Sequence, residues 1–200
     1  MVAYVFQQIS QKGRAEGIGN PNLERDARTW FRESAQQIRS VNASRMMNDK
    51  SNVKSRIVVN DIGKMFMFFY DPKLKEQLPY YDTFPLVFPI GFRDNGFIGI
   101  NLHYLPLGYR ARLMDALYST SSNTKYNDDT KLKISYDLLN GASRFKYFKP
   151  CIKHYLWDHV QGQRYLNIQP SNWDSALMLP TERFKKASKD VIWKESVGKF

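Results

Sequence analysis

Hydrolytic, redox and metal chemistry each need a few particular side chains brought together, and this 200-residue chain offers few of them. Its three histidines are His103, His154 and His159. The last two stand five apart, a spacing that shares a helical face poorly, and the single cysteine, Cys151, adds no zinc-like pattern. His103 falls in a run of aromatic and β-branched residues, where a hydrogen-bonded structural histidine is the simpler reading. Asp115 followed by Asp129-Thr130-Lys131 is the nearest approach to a Mg²⁺-dependent nuclease centre. Asp129 lies in a polar loop, however, a poor support for a rigid metal site. Ser143 and Lys146 meet a Ser-x-x-Lys spacing too short to carry weight, and neither standard Gly-rich phosphate loop is present. The residues argue for binding or structure, so no enzyme, cofactor, metal or small-molecule substrate is expected.

Binding chemistry is better represented. Thirty basic against nineteen acidic side chains give a net charge of +11. Such a field favours polyanions, with nucleic acid first and anionic lipid or an acidic protein patch second. Arg25, Arg28, Arg32, Gln36 and Arg39 fall on one narrow stripe at about 100° per residue, which suits a row of phosphates or acidic side chains. A solvated face, partly neutralised by Glu24 and Glu33, explains the same stripe. Residues 144–157, RFKYFKPCIKHYLW, interleave Arg144, Lys146, Lys149 and Lys153 with five aromatic rings and no acid. Cations there neutralise phosphate and rings stack on bases, unless the rings are core and the lysines only its rim. Lys185 and Lys186 belong to a further basic segment. The candidate DNA or partner contacts are therefore Arg25, Arg28, Arg32, Arg39, Arg144, Lys146, Lys149, Lys153, Lys185 and Lys186.

The elements that must position these groups are organised around residues 56–105, where four strand-like runs concentrate the aromatic and β-branched side chains: Arg56–Asn60, Lys64–Asp71, Pro85–Phe92 and Phe97–Tyr104. Asn95-Gly96 marks the tightest turn, since both residues tolerate positive φ. Pro89 cannot donate a ladder bond and predicts an edge strand or a bulge. In the last run Ile98, Ile100, Leu102 and Tyr104 share one face, as in a strand with one buried side. The fold class expected is α+β: a small SH3-like or OB-like β-barrel of four to five strands, the fifth at Arg164–Ile168, flanked by amphipathic helices.

Around that core the sequence predicts an N-terminal arm at 1–20, an amphipathic basic helix and polar linker at 21–55, and a helical part at 106–200 packed on the barrel. The helix Leu23–Val41 starts at Asn20-Pro21, and another opens at Pro106 with Tyr109, Leu113, Ala116 and Leu117 inward and Arg110 and Arg112 elsewhere. Further helices are expected at Lys131–Leu139, after Pro170, and after Thr181. With one cysteine no internal disulfide forms, and a buried, inert thiol in a reducing compartment is expected. No signal peptide and no apolar run long enough to span a bilayer is read, so no membrane partner is expected.

Tyr70-Asp71-Pro72, Leu78-Pro79-Tyr80-Tyr81-Asp82, Phe84-Pro85-Leu86 and Asn101-Leu102-His103-Tyr104-Leu105-Pro106 together resemble a segment of the DNA end protector, or head-completion, proteins of T4-like tailed phages. The likeness is specific over about residues 64–118 and looser to Trp193. It implies a non-enzymatic virion protein, assembled in the host bacterial cytoplasm, that binds the ends of packaged double-stranded DNA near the portal or neck and shields them from exonuclease. Portal, neck or tail proteins would be its neighbours, and the family offers no catalytic residues to carry over. The other reading is a structural subunit of the tail, neck or baseplate that clasps neighbouring chains without binding DNA.

Overall fold

Alternating apolar residues in the middle of the chain form an antiparallel sheet that buries both of its faces. The computed structural model describes residues 4–19, 25–121, 137–139, 141 and 146–198. Its strands are β1 (Val53–Lys54), β2 (Met65–Met67), β3 (Tyr81–Asp82), β4 (Leu86–Arg93), β5 (Gly96–Asn101), β6 (Ile152–Leu156), β7 (Tyr165–Ile168) and β8 (Phe184–Lys185). Six of them make one sheet in the order β1-β7-β2-β4-β5-β6, and β3 pairs separately with β8. Met65, Met67, Leu86, Phe88, Ile100 and Ile168 face the larger core under the helices. Phe66, Phe68, Val87, Phe97, Tyr155 and Tyr165 fill a second, aromatic core on the other side. The expectation of one buried face for β5 is corrected: with two cores, both sets of its side chains are enclosed.

The sheet coils around the aromatic core. The Phe68 ring lies 5.1 Å from Tyr155 on edge strand β6 and 5.4 Å from Tyr165 on β7, near the other edge. The α+β class is as the sequence predicts, and β7 supplies the expected strand at Tyr165–Ile168. Among the described residues, however, no pairing closes the sheet, which keeps β1 and β6 as edges. Pro89 sits in a central strand at a register shift between Pro89 and Gly91, the bulge its missing N–H demands.

The helices are α1 (Tyr4–Ala15), α2 (Arg25–Gln36), α3 (Ala43–Met46), α4 (Leu107–Ser121), α5 (Trp173–Met178) and α6 (Lys189–Gly198). Residues 4–15 are thus no free arm: Phe6 and Ile9 are buried in the main core, and Gly13 lies under Trp30 and Phe31 of α2. Nor is 41–55 a linker, because Asn42 caps α3 by accepting from the Arg45 N–H and β1 pairs with β7. The run Arg56–Asn60 forms no strand and leads into a 3₁₀ turn at Val59–Asp61. After Thr181 the chain enters β8 rather than a helix, and α6 begins only at Lys189. The helix expected at Lys131–Leu139 lies mostly outside the described residues.

Arg110 is the largest correction to the sequence reading. Instead of pointing outward from α4 it is fully buried, donating to the backbone carbonyls of Leu105 (2.7 Å), Leu177 (2.9 Å) and His103 (3.1 Å). Its guanidinium also lies 5.3 Å from the centre of the Trp193 ring, so one side chain ties α4 to α5 and α6. Burial pushes its pKa down to about 10, which leaves it charged at neutral pH. Cys151 is buried as well, and burial pushes its thiol up to about 12.

Candidate nucleic-acid interface

The arginine stripe of α2 divides. Arg28 and Arg32 turn toward α4 and α5: Arg28 Nη1 reaches Asp115 at 3.2 Å, Arg32 Nη2 reaches the same carboxylate at 2.9 Å, and Arg32 Nε reaches Asp174 at 2.5 Å. Burial opposes the charge on Arg32, yet its two carboxylate partners raise its pKa overall. Asp174 is pushed up by burial despite Arg32 and Arg28. The Arg28 guanidinium also packs on the Tyr118 ring at 4.6 Å. These two arginines join helices, whereas Arg25 and Arg39 are exposed.

The carboxy-terminal candidates are equally divided. Lys186, held at φ 69°, donates to the carbonyls of Lys75 (2.6 Å), Glu76 (2.9 Å) and Leu78 (3.2 Å), and so fastens a loop. Lys185 and Lys149 are exposed. Lys153 lies 4.1 Å from the centre of the Tyr104 ring. Lys146 belongs to the 3₁₀ segment Lys146–Cys151, and Arg144 lies outside the described residues. Of the rings interleaved with these cations, Tyr155 is buried and Trp157 packs against Phe97 at 5.1 Å, so both belong to the aromatic core. Of the described candidates, Arg28, Arg32 and Lys186 are thus engaged within the fold, while Arg25, Arg39, Lys149 and Lys185 are exposed.

Further exposed cations stand on the segment between α2 and β2. Arg39, Arg45, Lys50, Arg56 and Lys64 are exposed between residues 39 and 64, the stretch that carries edge strand β1. Arg164 joins them there by donating to the Met47 carbonyl. The two acids of this stretch are both buried. Asp49 accepts from Ser51 and Asn52, neutral donors that outweigh burial and lower its pKa. Asp61 is pushed up by burial, but Lys54 (2.6 Å), the Val58 N–H and Lys64 (3.0 Å) bring it below the usual carboxylate range. Arg39, Lys50 and Arg56 have no carboxylate partner among the described residues, and Arg45 packs on the Tyr4 ring at 4.0 Å. Composition carried this signal, with six Lys or Arg and two Asp or Glu between residues 39 and 64, but the cations are scattered through polar residues without helical period.

His103 has the partners of a catalytic triad without its access. Its Nδ1 donates to Asp82 at 2.7 Å and its Nε2 is hydrogen-bonded to the Thr181 hydroxyl at 3.1 Å, with all three side chains buried. Burial pushes the Asp82 carboxyl up, but His103, the Phe84 N–H and Asn101 outweigh it and lower its pKa. Asp82 also accepts from the Arg183 N–H at 3.2 Å, tying β3 to the segment before β8. Enclosed in this way, the trio holds β3, the turn after β5 and the segment before β8 together. No cluster of three or more metal-ligating side chains occurs among the described residues, and Asp129 lies outside them. No described helix is long and apolar enough to cross a membrane.

Fold and surface define a basic α+β protein with a cationic sheet edge. The family model described as phage T4 terminal DNA protecting protein matches residues 7–196. The chain therefore belongs to that family, over nearly its whole length. No curated protein and no solved structure matches it significantly.

Proposed function

We propose that this protein is a non-enzymatic virion component of a tailed phage that binds the ends of linear double-stranded DNA and shields them from exonucleases. Membership of the terminal DNA protecting family across residues 7–196 is the observation that carries this reading. The cationic β1 edge supports it, because Arg39, Arg45, Lys50 and Arg56 form a surface for phosphates that needs no base readout. Packaged DNA ends lie at the portal, so the protein sits near the portal or neck, with proteins of that region as neighbours. Exonuclease digestion of linear duplexes, with circles of equal length as competitor, tests the reading. Linear ends are expected to be protected at stoichiometric protein and low salt, with circles competing poorly. Absence of protection, or equal affinity for circles, gives the place to the structural-subunit reading.

A further inference from the structure

Strand β6 ends the sheet, and its outer edge faces a slot in place of another strand. The Trp157 N–H donates to the Asn95 carbonyl at 3.1 Å, which fixes the odd-numbered residues of β6 as those bonded to β5. The Leu156 N–H points the other way and donates to the Tyr70 hydroxyl at 3.2 Å. Alternation then directs the N–H and C=O of His154 outward, and neither has a partner among the described residues. Across from them the chain between Asp71 and Tyr81 bows away, leaving a groove of about 350 Å³ between itself and β6.

The groove is held open at both ends. At one end the Asp71 N–H donates to the His159 carbonyl at 3.0 Å and His159 Nδ1 donates to the Asp71 carbonyl at 2.8 Å. Farther along, Lys186 grips the carbonyls of Lys75, Glu76 and Leu78 and prevents the loop from folding onto β6. Leu74, Leu78 and Tyr80 give the far wall an apolar lining, with Leu74 54% exposed. The cations bordering the groove are Lys73 and Lys153. Its one carboxylate, Asp82, is buried and engaged with His103 and Asn101. Tyr70, Tyr104 and Tyr155 line it too, but they are at most 7% exposed and offer no open ring face for a base to stack on, which leaves only the half-buried Tyr80 and Tyr81 with accessible rings.

We propose that this slot takes an extended, acidic segment of a partner protein as a strand added to β6. Backbone pairing with His154 gives the affinity, alternate side chains enter the apolar wall, and acidic residues meet Lys73 and Lys153. The site is separate from the β1 edge and stands whether or not that edge binds DNA.

A fluorescein-labelled Glu-Val-Glu-Tyr-Glu-Val-Glu peptide is the probe, compared with its Lys-for-Glu counterpart and with two versions N-methylated on alternate residues of one edge or the other. The acidic peptide is expected to bind, to slow amide exchange at His154 at least tenfold, and to lose binding on methylation of one edge but not the other. His154→Pro removes the outward N–H together with the imidazole, leaves the β5 ladder bonds of the odd-numbered residues in place, and is expected to weaken the peptide at least tenfold. His154→Ala, which keeps the N–H, is expected to bind it as the parent does, and linear DNA is bound as before by both. The methylated peptides test the same pairing on unaltered protein if that variant fails to fold. The proposal is overturned if both methylated peptides bind alike, if the Lys peptide binds as well, or if His154 stays unprotected. It is equally overturned if a single-stranded oligonucleotide or a second copy of the chain protects His154 where the peptide does not.

Discussion

Arg32 on α2 and Arg39 just beyond its end carry the same charge, yet their surroundings assign them opposite roles. Arg32 bridges two carboxylates, one of them the buried Asp174, while Arg39 is exposed. Removing Arg32 leaves Asp174 enclosed, although its raised pKa lets it take a proton and relieve part of the strain. Arg32→Ala is therefore expected to cost about 3 kcal/mol in urea denaturation, near the low end for a broken buried pair. Arg39→Glu is expected to leave the urea midpoint within about 0.5 kcal/mol of the parent and to weaken DNA binding instead. A neutral effect of Arg32→Ala on stability would contradict the bridging role. Asp61 gives a pH prediction. Its folded pKa lies below the unfolded value, so its contribution is complete above about pH 4 and is lost as pH falls through the folded value. The urea midpoint should thus be level from pH 8 to 5 and drop below about pH 4, with a shallower drop in Asp61→Asn.

At the scale of elements, the β4–β5 hairpin shows how a correct expectation rests on a different cause. Arg93 pairs with Gly96 across the two residues Asp94 and Asn95, but neither Asn95 nor Gly96 has a positive φ. What requires glycine is the neighbouring strand: a Cβ at Gly96 would lie 2.0 Å from the Tyr155 carbonyl oxygen. Gly96→Ala is expected to destabilise by about 2 kcal/mol or more and to raise amide exchange along β5 and β6, because backbone must move. The hairpin, the Pro89 bulge, β7 and the start of α4 were legible because each depends on a few adjacent residues. Arg110 and Thr181 were not, since a basic residue near a helix start and a capping residue before a charged run look local and find their partners in distant segments. The candidate cations met the same limit. Period alone put Arg28 and Arg32 with Arg25, and nothing in the stripe shows that Asp115 and Asp174 lie across from it. The β1-edge cations lacked a period to betray them at all.

At the scale of the molecule, burial of acids shapes the charge of the surface. Acids near β1 are buried, so the surface there is more cationic than the balance of residues states, and DNA affinity should fall steeply with salt. The logarithm of the binding constant is expected to fall by about 0.9 for each phosphate contacted per tenfold rise in salt. Reversing Arg39, Lys50 and Arg56 together to Glu should remove about three contacts from that slope, whereas Lys185→Glu alone should remove at most about one. Measured slopes that do not change with the triple substitution would move the DNA surface off the β1 edge. The slot beside β6 lies at the opposite margin of the sheet, which lets a nucleic acid and a protein segment be held at once.

The single cysteine makes these surfaces unusually open to measurement. With its thiol pushed well up by burial, Cys151 holds far less thiolate at pH 7 than an ordinary exposed thiol. It is also enclosed. A cysteine placed at Arg39 or at Leu74 would then be the thiol that a maleimide dye or spin label reaches, with the native Cys151 left in place. Two such labels, one on each margin of the sheet, would report on the two surfaces independently.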